Sequence, residues 1–165
     1  MAGERVVDAA LFLGMHSADD HVRQVCKGFF VEHLADPVVM SLEQVGMCDD
    51  VVWGFPRAVQ DAYYPFMDVL HTEMDVRRVG YDDGDLRLAL DSPVLAGLSS
   101  ARRLLMAMVL RRGAVLHTVD PVLADRDDLP TARPASGSLR FPPGLEGLYR
   151  ESSVLRLGGE GRWVA

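Results

Sequence analysis

The sequence predicts an α/β fold, a three-layer sandwich with a mainly parallel central sheet and helices on both faces. Three observations lead there. Short apolar runs alternate with longer stretches whose apolar residues recur at helical spacing, the pattern of strand-helix units. Two of the runs, Arg5-Val6-Val7-Asp8 and Ala114 to Asp120, end on a carboxylate, as strands do when their carboxyl ends carry a site. The 165 residues, 48% hydrophobic and 25% charged, suit one globular domain with a substantial core, which excludes a disordered or collagen-like chain.

Taken in order, residues 5–9 read as the first strand, with Ala9 to Gly14 as its continuation or the following turn. Ser17 caps a helix over residues 18–34, with Asp19 and Asp20 at the positive end of its dipole. Its buried stripe holds Val22, Val25, Cys26, Phe29, Phe30 and His33, so Cys26 is a core residue. Asp36-Pro37 ends it, Val38-Val39-Met40 is a buried strand, and Ser41-Leu42-Glu43-Gln44 resembles a capping box opening the next helix. Pro56 to Val79 is helical in pattern, kinked or divided at Pro65, and forms an apolar wall from Tyr63 to Met74 whose roles are core packing or a ligand groove. Asp82 to Asp85 is a turn and cap before a helix at residues 85–91. Ser99 or Ser100 opens a helix that stops at Gly113, and Ala114 to Thr118 is the next strand. Residues 1–130 thus read as the α/β domain and 131–165 as a C-terminal extension, irregular at first, with a terminal hairpin formed by Val154 to Leu157 and Arg162 to Val164.

The charge balance of −7 opposes a broad electrostatic grip on nucleic acid and leaves room only for a local basic patch. The longest uncharged apolar run, Ala9 to Met15, is far short of the roughly 20 residues that span a bilayer, so neither a membrane span nor a secretory signal is expected. Two cysteines cannot make a disulfide scaffold or a four-thiolate zinc site, and a reducing cytoplasm is the expected compartment. Sixteen Arg against one Lys, with no Ile or Asn, points to a GC-rich bacterial genome.

In this fold Asp8, Glu43 and Asp120 all arise near strand ends on one sheet edge. Gathered carboxylates repel one another unless a cation sits among them, and hard oxygen ligands suit Mg²⁺ or Mn²⁺. The motifs around them resemble the PIN domains: Val6-Val7-Asp8-Ala9 is similar to the family's opening strand, Ser41 to Val45 to its second acidic motif, and Leu104 to Asp120 to its closing helix, strand and Thr-x-Asp motif. The resemblance covers residues 5–125. It implies a metal-dependent endoribonuclease in which Asp8, Glu43 and Asp120 hold Mg²⁺ or Mn²⁺, Thr118 orients Asp120, and a metal-bound water attacks a phosphodiester. It also implies a homodimer, or a hetero-oligomer with a related or antitoxin-like protein.

One position departs from that pattern. Where the family has a further Asp, sixteen residues before the Thr, this chain has Arg102. Two unit charges about 4 Å apart interact by roughly 4 kcal/mol at an effective dielectric near 20, so a guanidinium there competes with a divalent ion for the carboxylates. Two other readings therefore stand beside RNA hydrolysis. One is an inactive PIN-like module for binding or dimerisation through the Tyr63 to Met74 wall. The other is a repurposed enzyme acting on a hydrophobic small molecule, lipid-like or polyene, as a double-bond isomerase. Its candidate groups are Cys48, which could add reversibly to a conjugated chain, and His16, His71 or His117 as proton carriers. Asp49 and Asp50 beside Cys48 raise its thiol pKa and favour a structural role for it, and His117 in a strand is also explained as a hydrogen-bonded core histidine.

Overall fold

A computed structural model describes residues 3–135, 137 and 139–158. Five parallel strands form one sheet in the order β3-β2-β1-β4-β5, flanked by helices. They are β1 (Arg5–Val7), β2 (Val38–Ser41), β3 (Val76–Val79), β4 (Val115–His117) and β5 (Thr131–Ala132). The helices are α1 (Ala9–Gly14), α2 (Asp20–Glu32), α3 (Leu42–Trp53), α4 (Arg57–Glu73), α5 (Asp83–Asp91), α6 (Ser100–Arg111), α7 (Pro121–Ala124) and α8 (Pro143–Ser152). The α/β class and the mainly parallel sheet are as the sequence predicts.

Alternation along the strands sorts the core into two layers. Val7, Val38 and Met40 pack with α1, α2, α3, α4 and α8, whereas Val6, Val39 and Leu116 pack with α5 and α6. β2 is buried along its whole length, as a central parallel strand must be, while β3 at the edge exposes Arg77 and Arg78.

Local chemistry fixes the boundaries. Asp8 ends β1 and caps α1, so Ala9 to Gly14 is a helix of its own, entirely buried, rather than a continuation of the strand or a turn. A Cβ on Gly14 would stand 2.4 Å from Cys26 Sγ, so the glycine is what lets α1 lie against α2. Asp19, not Ser17, caps α2. Ser41 caps α3 as expected, but the reciprocal half of the capping box is not made: the Gln44 side chain turns to α1 and accepts the Ala9 N–H at 2.9 Å. Pro65 lies within one continuous helix α4, and the chain beyond Glu73 is not helical: Val76 to Val79 is the parallel strand β3. Two β-branched residues flanking two arginines suit a charged sheet edge better than a helix. Gly113, at φ +60°, closes α6 where the glycine stop was expected.

The C-terminal segment is less irregular than its composition suggests. Thr131–Ala132 adds β5 beside β4, and α8 packs on α4. Lys27 in α2 bonds Glu146 at 2.7 Å and lies over the Tyr149 ring, 4.5 Å from its centroid, which ties α8 to the main core. Leu157 makes a single bridge to Ser17, and the other half of the expected hairpin, Arg162 to Val164, lies outside the described residues.

Candidate functional site

The sheet order changes direction between β1 and β4, the switch point at which open parallel sheets place their sites. The register pairs Val7 with His117, so the next residues, Asp8 and Thr118, emerge side by side. The Thr118 hydroxyl donates to Asp8 Oδ2 and accepts the Asp120 N–H at 2.9 Å, while Asp8 Oδ1 takes the Leu11 N–H at 2.9 Å. Asp8 is only 2% exposed, and burial pushes its carboxyl up to about 7, with the Asp120 charge adding to the shift.

Arg102 completes this cluster. Its Nε donates to Asp120 Oδ2 at 2.7 Å and its Nη2 to Oδ1 at 3.2 Å, a two-pronged pair in which both side chains are largely buried. Asp120 Oδ1 also caps α7 through the Val122 N–H. Glu43 stands apart, held with Ser41 by the Tyr81 hydroxyl at 3.1 Å to each. Among the described residues no three His, Cys, Asp or Glu side chains gather as a metal site requires. The expected Asp8, Glu43 and Asp120 trio is therefore not a preformed centre for Mg²⁺ or Mn²⁺: Asp8 and Asp120 meet, but their oxygens are occupied by Thr118, Arg102 and helix N–H groups. The Arg102 guanidinium on both Asp120 oxygens opposes a divalent cation at that carboxylate. A hollow of about 380 Å³ lies beside Val119 and Pro121, and neither Asp8 nor Asp120 lines it.

A larger pocket, about 480 Å³, opens between α3 and α4, within the volume range of small-molecule sites. Two helical stripes make its walls. Val45, Cys48 and Asp49 lie three and four residues apart on α3, and Tyr63, Tyr64, Met67, Asp68, His71 and Thr72 follow the four-residue ladder of α4. Phe12 of α1 and Met40 of β2 add apolar surface, and Arg78 of β3 stands at the lining's polar part. The Tyr63 to Met74 wall thus divides between both expected roles. Phe66, Leu70 and Met74 are buried in the core, while Tyr63, Tyr64 and Met67 face the pocket.

Cys48 lies in this pocket. Burial, then the Asp8 and Asp49 charges, push its thiol well up, so it is protonated at neutral pH, and Cys26 is raised likewise inside the core. Of the candidate histidines only His71 shares the pocket; burial lowers its pKa, and its Nδ1 accepts from Arg78 Nη2 at 3.3 Å. The structure does not bring His117 to Cys48: its ring lies 5.0 Å from that of Phe29, and burial lowers its pKa to about 4. His16 is fully buried among Tyr63, Phe66 and Tyr149, bonds Ser152 Oγ at 2.8 Å, and burial holds its pKa at about 3.

Tyr63 was legible in the sequence only as part of the wall. It is 1% exposed, and among the described residues its hydroxyl has no hydrogen-bond partner, a condition that costs about 1–3 kcal/mol in a folded protein. Arg78 was missed because its segment reads as helix; the Val-Arg-Arg-Val pattern of an edge strand is the signal that would have found it. Among the described residues, no helix is long and apolar enough to cross a membrane. Comparison with curated proteins gives no match. The family comparison covers residues 1–161, and the chain belongs to DUF6190, a family of unknown function.

Proposed function

We propose that this protein is a PIN-like scaffold repurposed to bind a hydrophobic small molecule, lipid-like or polyene, in the pocket between α3 and α4, and to isomerise a double bond there. The single observation that carries the reading is a 480 Å³ pocket whose lining combines apolar and aromatic residues with Asp49, Asp68, Thr72 and Arg78 and includes both Cys48 and His71. The parallel sheet, with Asp8 and Asp120 at neighbouring strand ends, supports the scaffold. The Arg102 fork on Asp120 weighs against metal-dependent RNA hydrolysis, because a divalent ion would have to displace a buried guanidinium.

Because burial holds Cys48 protonated and the thiolate is the nucleophile, the thiol must give up its proton as it attacks. His71 takes the Cys48 proton as sulfur bonds one carbon of a conjugated C=C, and the same proton passes to the neighbouring carbon. The former double bond is then free to rotate. Elimination breaks the C–S bond, returns the proton to sulfur and restores the double bond in the other geometry, with no oxidant or reductant consumed. His71, kept neutral by burial, is the proton carrier within the same pocket.

Titration with cis-parinaric acid, a fluorescent conjugated fatty acid, tests the reading. Saturable binding is expected, with conversion of the bound tetraene to another isomer seen by chromatography and lost in Cys48→Ser. Conversion should survive chelation. No binding, together with chelator-sensitive cleavage of RNA, would overturn the proposal in favour of the hydrolase.

A further inference from the structure

Tyr63 is a hydrogen-bond donor whose protein environment gives it nothing to bond. Its hydroxyl is shielded from bulk water, and among the described residues no acceptor reaches it. The obvious candidate, Asp49, is already engaged by the neighbouring Tyr64 hydroxyl at 3.0 Å. Burial first, then Cys48, Tyr64 and Asp49, push the Tyr63 phenol's pKa well up, so it keeps its proton. All three of those residues line the 480 Å³ pocket, as Tyr63 does. The ring packs edge-on with His16, 5.2 Å away between centroids, and with Tyr64 at 5.5 Å. A protonated, unanswered donor on a residue that shares its pocket lining with a thiol describes half of a recognition site.

We infer that the ligand carries a carbonyl oxygen conjugated with its carbon chain, that the Tyr63 hydroxyl donates to this oxygen, and that Cys48 stands beside the adjoining unsaturated carbons. This rests on the small-molecule reading above and narrows it to α,β-unsaturated carbonyl compounds. The pairing has a chemical reason. A hydrogen bond to the carbonyl draws electron density from the β-carbon, where the sulfur adds, and steadies the enol oxygen that forms as the S–C bond closes and the π bond shifts. The proton lost from sulfur then resides on that oxygen or on the α-carbon, and elimination reverses each step. Tyr63 also sets the register of the chain, so that one double bond among several meets the thiol.

Two matched probes test this with the full chain: methyl 2,4,6-decatrienoate, and the hydrocarbon 2,4,6-decatriene, which lacks the oxygen. Wild-type protein should bind the ester with a red shift of its absorption relative to hexane, the signature of a donated hydrogen bond. Tyr63→Phe, which keeps the ring, should abolish the shift and weaken ester binding about tenfold while leaving the hydrocarbon's affinity unchanged. Cys48→Ser should retain the shift. Equal weakening of both probes, or a shift that persists without the hydroxyl, would overturn the inference. So would a wild-type spectrum identical to that in hexane, a result readable even if the variant does not fold. Failure of both probes to bind wild-type protein would remove the pocket reading itself and this inference with it.

Discussion

The sheet edge at β1 and β4 and the pocket between α3 and α4 are near neighbours with opposite polar accounting. At the edge every strong group is answered within the chain: Thr118 and the Leu11 N–H satisfy Asp8, and Arg102 and the Val122 N–H satisfy Asp120. In the pocket a buried phenol has no acceptor among the described residues, and a protonated thiol and a neutral histidine share its lining. A closed network stabilises a fold, whereas an unanswered donor in a cavity of ligand size marks a place kept for something else. Position in the topology alone would have favoured the first region; hydrogen-bond accounting favours the second.

The sharpest way to break that contrast is to reopen the closed network. Arg102→Ala leaves Asp120 buried without its partner and should lower stability by about 3–5 kcal/mol in a denaturant titration, with pocket binding unchanged in the folded fraction. Arg102→Asp, which faces Asp120 with a second carboxylate, should be destabilised in chelator and recover part of the loss with millimolar Mn²⁺. Loss of ligand binding in folded Arg102→Ala would join the two regions that the present account separates.

Asp8 gives the next largest effect, and its sign is fixed by its environment. Its folded pKa, about 7, lies above the usual 3.8 of the unfolded chain. The folded state therefore holds a proton that the unfolded state has lost, and stability falls as pH rises from about 4 to 7, then levels. Roughly three pH units correspond to at most about 4 kcal/mol. Asp8→Asn should flatten this slope when Tm is followed against pH. His16, held neutral at a pKa of about 3, contributes the opposite slope below its ordinary 6.5, so the wild-type and variant curves must be subtracted. Cys26 and Cys48 both feel Asp8, and they titrate too high to disturb the window.

Smallest of all should be the response of wild-type protein to metals. Millimolar Mg²⁺, Mn²⁺ or chelator is expected to move Tm by less than about 1 °C, because occupied carboxylates offer no differential binding to the folded state. A shift of several degrees at these concentrations would show that the ion displaces Arg102, and would return the edge to the status of a site.

Strands β1, β2 and β4 and the ends of α3 and α6 were readable because they depend on local rules: β-branched runs, Ser41 before α3, Ser99 before α6, Gly113 after it. What escaped depended on tertiary context. Val76 to Val79 is a strand because β2 offers it a parallel partner, and Pro143 to Ser152 is a helix although proline and glycine crowd its start, because Tyr149 and Leu145 have a core to enter. Asp8 and Asp120 could be placed on one edge from strand order alone, and Arg102 was recognisable as a competitor by its sign. That its guanidinium would grip both oxygens of Asp120, and that the Tyr63 hydroxyl would lack a partner, are facts of distance that no spacing encodes.

Photolabelling locates the ligand most directly. A conjugated enone amphiphile bearing a diazirine, irradiated with the full chain and mapped by mass spectrometry, should label α3 and α4 around Val45, Met67 and His71, with excess methyl 2,4,6-decatrienoate suppressing the label. Labels concentrated at Val22, Val119 and Pro121 beside the acidic edge, or spread over the surface without competition, would contradict the account.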